Sequence, residues 1–350
     1  MSATRTAVIL GSTGAVGTSQ VARFSADPTT QVVALAAAGR NLPALARQAV
    51  QLGVFGLAVG ESDLAAVNLA LDEANEEAGA DVRPEILIGA DVTTHAAGAG
   101  VDVVVNAIKG MGGIGPSLEG LRTGAHVEVA NTETLLSAAL LTPEVLADAP
   151  VSHRLSLLSP DLGGLGRTLV EHDEAVARVI LTAPAHPRLP ARHGARPRRV
   201  DQMTGFAAGF ALLEVSAITQ VPIDVVTHTG GVGALVELED GRTVAHPRAG
   251  APAPWERATS WWFEPARLPA VDLCRAAARE GGTYPIVAYC ANDAAVAAFL
   301  DGAAELDEIV DVVARVLDAH EPPDTLTLDA LQGAAVWAKK HAREILTAGR

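Results

Sequence analysis

Residues 5–17 read RTAVILGSTGAVG: a short apolar run stops at Gly11, and a helical pattern starts at Ala15 and continues to Phe24. Strand, glycine turn and helix in direct succession constrain a chain strongly, because a strand that is apolar throughout must be covered on both faces. The turn Gly11-Ser12-Thr13-Gly14-Ala15-Val16-Gly17 sets backbone N–H groups and a helix N-terminus at the strand end, where a pyrophosphate can be held and a Cβ would obstruct it. Gly11, Thr13, Gly14, Ala15 and Val16 are therefore candidate dinucleotide contacts. The same spacing also serves as a plain tight turn, and context separates the two.

That context continues along the chain. Gln31 to Ala37 reads as a second strand, Leu42 to Leu52 as the next helix and Val54 to Val59 as a third strand. Val101 to Ile108 is a continuous β-branched run, as expected of a central parallel strand, and it leads through Ala107 into KGMGGIG. A helix over Pro116 to Thr123 and a strand over His126 to Ala130, ending at Asn131, complete the alternation. The expected class is α/β, with a doubly wound parallel sheet of the Rossmann type in residues 1–150.

The second strand runs out at Gly39-Arg40-Asn41, where an NAD-specific site would carry an acidic residue for the ribose hydroxyls. The planar fork of an arginine suits a 2′-phosphate instead, so NADP(H) is the expected cofactor. A solvated surface arginine at the head of the helix is the alternative.

Beyond Val151 the pattern changes. Residues 151–290 read as a central α+β domain with strands at Arg178 to Thr182, Asp224 to Thr227 and Ala234 to Leu238, and with a proline-rich loop or lid at 184–197. Residues 291–350 read as a C-terminal helical domain, broken at Pro322 and Pro323. Hydrophobic residues make up 49% of the 350 and aromatics only 3%, so Ala, Val and Leu must do the packing. A net charge of −15 argues against nucleic acid and anionic membrane as partners. The two cysteines, Cys274 and Cys290, have neither disulfide-framework nor metal spacing, and no run approaches a bilayer span or a signal peptide, so a cytoplasmic protein with a small-molecule substrate is expected.

With these motifs in place, the chain resembles the 1-deoxy-D-xylulose 5-phosphate reductoisomerase family. GSTGAVG, AAGRN, VDVVVNAIKGMGGI and VANTETLL are similar to its nucleotide-domain motifs, and RVILTAPAHP, ELEDGRTVA and GGTYPIVAYCANDAAVAAFLDG to later ones. The resemblance extends to the final helix. It implies NADPH and a divalent cation acting on a phosphorylated ketose, and pairing into a homodimer through the central domains. It also implies that Ala107, Asn131 and Glu133 border the cofactor and that Lys109 lies beside the nicotinamide, as a candidate to polarise the carbonyl.

The substrate side departs from the family. Of the metal segment P-V-D-S-E-H only Asp161 remains; Leu162, Gly163 and Gly164 replace Ser, Glu and His. In the second metal segment Ala207, Ala208 and Ala211 replace Asn, Lys and Glu. Pro184 and Gln202 stand where phosphate-binding serines are found, and Thr132 replaces a lysine. A hard cation needs several oxygen ligands, so no metal is expected to bind. Asp161 is then a candidate to orient Lys109 or act as general base, or else a helix cap. His228 matches a family histidine whose neighbours are lost, and Arg192, His193 and Arg196 are weaker anion candidates.

Three readings follow: an NADP(H) oxidoreductase of specialised metabolism with a changed small polar carbonyl or alcohol substrate and no metal; an authentic reductoisomerase of isoprenoid biosynthesis with substituted ligands; and a catalytically silent NADP-binding protein.

Overall fold

The computed structural model describes residues 4–145, 154–158, 162, 164–172, 175–184, 197–228, 233–246 and 268–348. The chain divides into two compact units, one built from residues up to Ser156 and the other from Leu157 onward, with Ala139–Leu141 counted in the second.

In the first unit, strands β1 (Arg5–Leu10), β2 (Thr30–Ala37), β3 (Gly56–Val59), β4 (Glu85–Ile88), β5 (Val103–Asn106), β6 (His126–Val129) and β7 (Leu155–Leu157) form one sheet in the order β4-β3-β2-β1-β5-β6-β7. Every pairing from β4 across to β6 is parallel. Ala7 to Leu10 and Val103 to Val105 are buried, which is why both strands read as unbroken apolar runs. Connecting helices are α1 (Ala15–Ser25), α2 (Leu42–Leu52), α3 (Leu64–Ala78), α4 (Val92–Ala97), α5 (Ile114–Arg122) and α6 (Thr132–Val145). The doubly wound sheet expected from the sequence is present. Three strands are shorter than read: β3 starts at Gly56, β6 stops at Val129, and β5 runs from Val103 only to Asn106, because residues 107–109 leave the sheet to form a turn. The sheet also runs past position 150, since β7 is its last strand.

The second unit holds a four-stranded sheet, order β11-β10-β8-β9, from β8 (Val176–Pro184), β9 (Ile223–His228), β10 (Gly233–Leu238) and β11 (Thr243–His246). Strands β8 and β9 are parallel, whereas β10 runs antiparallel to β8 and β11. Its helices are α7 (Leu165–Glu171), α8 (Pro197–Thr204), α9 (Phe206–Ile218), α10 (Pro269–Glu280), α11 (Tyr284–Leu300), α12 (Glu308–Asp318) and α13 (Leu328–Ala348). The boundary read at 290/291 falls inside α11, a largely buried helix, and the C-terminal helical region begins earlier, at Pro269.

Helices α9 and α10 meet closely at Gly209, where a Cβ would lie 2.6 Å from Cys274 Sγ. Burial, with Asp201 nearby, pushes that thiol up, so Cys274 is a neutral packing group. Gly209→Ala should destabilise by about 1–3 kcal/mol through overpacking, and Cys274→Ala in the same chain should restore part of it, both read from urea unfolding.

In the helical region His320 is buried, its Nε2 2.7 Å from Thr283 Oγ1 and its ring 5.2 Å from that of Trp337. Burial holds the His320 and His246 imidazoles below the ordinary value of 6.5. Below that value the unfolded chain binds more protons than the native one, so stability is complete above it and falls as pH drops through it. Urea midpoints should therefore decline on acidification below 6.5, and His320→Gln should shallow the decline without removing it, because His246 has the same sign.

Candidate active site

The chain moves from β1 outward to β4 and returns beside β1 with β5, so the strand order reverses between β1 and β5. In open α/β sheets ligands settle outside the carboxyl ends of the strands at that reversal. The turns after β1, β2, β5 and β6 all lie on that edge.

Gly11 has φ +73°, and a Cβ there would stand 2.8 Å from the Ala107 carbonyl oxygen. A Cβ on Gly17 would meet Gly11 O at 2.2 Å. The turn is anchored beneath by Gly11 and Ser12 N–H, which donate to Ala36 O at 2.8 and 3.1 Å, while Ala107 N–H donates to Leu10 O at 2.9 Å. Helix α1 starts at Gly14 with no side-chain cap and no acidic residue in its first turn. Its initial N–H groups and positive dipole end therefore suit an anion. Gly14 and Ala15 are exposed and Thr13 and Val16 half-buried, as contacts to a bound group require. Ser12 Oγ, buried in the same turn, has no hydrogen-bond partner.

Gly39 has φ +93°, and a Cβ would lie 2.1 Å from Glu61 O, so the turn after β2 admits only glycine. Arg40 follows it, exposed. Asn41 caps the following helix: its Oδ1 accepts from Ala44 N–H at 3.2 Å, at the head of α2. Asn131 likewise accepts from Thr134 N–H at 2.8 Å, at the head of α6. Glu133, in the first turn of α6, is buried.

The turn after β5 is held from inside. Buried Asn106 donates through Nδ2 to Gly113 O at 2.7 Å and Ser117 Oγ at 2.8 Å, and its Oδ1 accepts from Ile108 N–H at 3.1 Å. Thr134 Oγ1 donates to Gly110 O at 2.8 Å. Lys109 projects exposed between these fixed points. Asn106 and Gln48, which reaches the first turn from α2, are positions the sequence reading passed over. Their signal was a polar residue inside a buried run: Asn106 closing VVVN, and Gln48 among Leu45, Ala46 and Ala49.

In the second unit, Ala208 and Ala211 on α9 are buried and Ala207 is half-buried. The one carboxylate on α9 is Glu214, a turn beyond Ala211 and also buried. Alanines carry no oxygen for a hard cation, and among the described residues no group of three His, Cys, Asp or Glu converges as a metal site. Asp161, Gly163, Arg192, His193, Arg196 and the 185–196 stretch lie outside the described residues, as do the side chains of Pro184, Gln202 and His228.

Comparison with known proteins places this architecture. The family description 1-deoxy-D-xylulose 5-phosphate reductoisomerase matches residues 7–139, and that of the DXP reductoisomerase C-terminal domain matches residues 243–341. Proteins named 1-deoxy-D-xylulose 5-phosphate reductoisomerase from Pseudarthrobacter chlorophenolicus and Beutenbergia cavernae are 33% and 35% identical, covering 98% and 99% of this chain and 98% of each relative. The chain belongs to the 1-deoxy-D-xylulose 5-phosphate reductoisomerase family. The Zymomonas mobilis reductoisomerase solved in complex with NADPH is 27% identical, with a TM-score of 0.76 over 98% of this chain and 99% of that one. A DOX-P reductoisomerase solved with NADPH, fosmidomycin and magnesium shares the fold, with a TM-score of 0.69 over 98% of each chain at 22% identity. The two sequence alignments extend over 392 and 399 positions against 350 residues here, so both relatives carry stretches with no counterpart in this chain. The interval between the two family matches contains Leu162, Gly164, Ala207, Ala208 and Ala211.

No described helix is long and apolar enough to cross a membrane.

The arrangement predicts that Arg40→Ala weakens NADP(H) binding by about 1.5–3 kcal/mol, the range of a charged phosphate contact, while NAD(H) binding changes little. Fluorescence titration with both cofactors measures it; equal wild-type affinity for NADH and NADPH would overturn the role given to Arg40.

Proposed function

We propose that this protein is an NADPH-dependent oxidoreductase performing the reaction for which its relatives are named, the rearrangement and reduction of 1-deoxy-D-xylulose 5-phosphate. The observation that carries this reading is full-length similarity: relatives of that name match 98% or more of this chain at 33% and 35% identity. It favours the family's own reaction over the changed substrate read from the sequence. NADPH fits the first unit on its own geometry, with the uncapped start of α1 facing the pyrophosphate and Arg40 facing the 2′-phosphate. NADPH, when bound, supplies the hydride. Lys109 is placed on the turn at the strand reversal, where a cation can stabilise charge developing on a carbonyl oxygen. Glu133 and the backbone of residues 11–16 and 107 complete the cofactor side. A homodimer in the cytoplasm, acting on a small-molecule substrate, belongs to the same proposal.

A second reading, a metal-independent oxidoreductase with another small polar carbonyl or alcohol substrate, is favoured by one observation. On α9 the positions that matched Asn, Lys and Glu are occupied by Ala207, Ala208 and Ala211, and Ala208 and Ala211 are buried. No catalytic step is assigned to a cation here, because the described side chains do not fit one.

A single assay separates the readings: NADPH oxidation with the phosphorylated pentulose, in the presence of Mn²⁺ and again with chelator. Cation-dependent turnover is the result expected from the family reaction. Cation-independent turnover of another carbonyl compound, with none of the pentulose, would transfer the assignment to the second reading. Failure to oxidise NADPH with any carbonyl substrate would favour a silent binding protein.

A further inference from the structure

Helix α2 starts next to Gly39-Arg40 and, two turns later, sends one side chain back to the glycine turn after β1. Gln48 is buried on a face otherwise formed by Leu45, Ala46 and Ala49. Its Nε2 donates to Ser12 O at 3.0 Å and lies 3.4 Å from Thr18 Oγ1, which itself donates to Ser12 O at 3.4 Å. Reversing the amide would set Oε1 against Ser12 O, two acceptors face to face, so the orientation is determined. The arrangement leaves Gln48 Oε1 and Ser12 Oγ without partners although both are buried, and an apolar residue at position 48 would avoid the first of these losses.

What the arrangement achieves is the direction of one peptide plane. In a trans peptide the carbonyl and the following N–H point opposite ways. Drawing Ser12 O toward α2 turns the Thr13 N–H away from it. We propose that Gln48 is a positioning residue for the dinucleotide pyrophosphate, tying the helix that follows Arg40 to the turn that receives the phosphates. This rests on the cofactor reading above. Because NADPH and NADH share the pyrophosphate, loss of Gln48 lowers affinity for both by the same factor, whereas Arg40→Ala changes their ratio.

The test uses the full-length protein, with NADPH and NADH titrated separately. Gln48→Met keeps the length and apolar packing and removes the amide. Gln51→Ala is the control, an exposed change on the same helix whose side chain contacts Ser25 Oγ at 3.1 Å. Gln48→Met should weaken both cofactors about tenfold, with the NADPH-to-NADH ratio unchanged and the melting temperature of the cofactor-free protein close to that of Gln51→Ala. A folded Gln48→Met that binds NADPH within about twofold of wild type would overturn the proposal. Should Gln48→Met not fold, Thr18→Val takes its place: a smaller loss, equal for both cofactors, supports the proposal, and unchanged affinity overturns it. If wild type binds neither cofactor, the cofactor reading fails by itself. Amide hydrogen exchange in residues 11–18 of the cofactor-free proteins then decides, faster exchange in the variant supporting Gln48 and unchanged exchange overturning it.

Discussion

The end of β5 comes so close under the turn after β1 that position 11 has room for a hydrogen and nothing larger. The Ala107 carbonyl would lie 2.8 Å from any Cβ there, and Ala107 N–H is bonded to Leu10 O. That backbone approach makes the strand reversal a usable crevice, because it brings the turn carrying Ser12 to Gly14 and the turn carrying Lys109 onto the same strand ends. It depends in turn on apolar burial of β1 and β5 on both faces, which holds the two backbones in register from Ala7 and Val103 to Leu10 and Asn106. The hydrophobic term is non-directional, yet here it determines where directional groups lie.

The loops on this edge are shaped by polar side chains reaching in from neighbouring elements. Asn106 holds both ends of the turn after β5, Thr134 holds Gly110, and Gln48 holds Ser12. Asn106 and Thr134 are buried polar groups whose desolvation is offset by these bonds, whereas Gln48 bonds Ser12 O and keeps a buried Oε1 without a partner. Asn41 and Asn131 act similarly as helix caps. The backbone of these turns is thus positioned by groups behind it, while Gly14, Ala15, Arg40 and Lys109 remain exposed on the same strand ends.

Much of the first unit was legible in the sequence, since continuous apolar runs such as AVIL and VVV have few solutions other than central parallel strands. The glycines were legible for a related reason: close approach excludes every other residue, so Gly11, Gly17 and Gly39 carry their geometry in their identity. Where the structure departs from the reading, the signal was weak or absent. Helix α3 is alanine-rich around all its faces, β4 is a four-residue edge strand, and neither was distinguished. The 290/291 boundary failed because α11 is apolar around its circumference and gives no amphipathic marker of where it begins. Caps and turn anchors were missed because one polar residue among apolar ones has no period, and its partner is defined only once the chain has folded.

The turns of the first unit and helix α9 of the second are held by different constraints. In the first, functional groups are largely backbone atoms at contacts of a few ångströms, so a substitution at Gly11 or Gly39 strains the fold as well as the site. On α9 Ala207, Ala208 and Ala211 bring no polar group to desolvate and have high helix propensity, so these positions favour the helix itself. Three alanines on α9 and similarity over the full length are therefore compatible in one chain, since the alanines serve the packing of the helix whatever else the site holds.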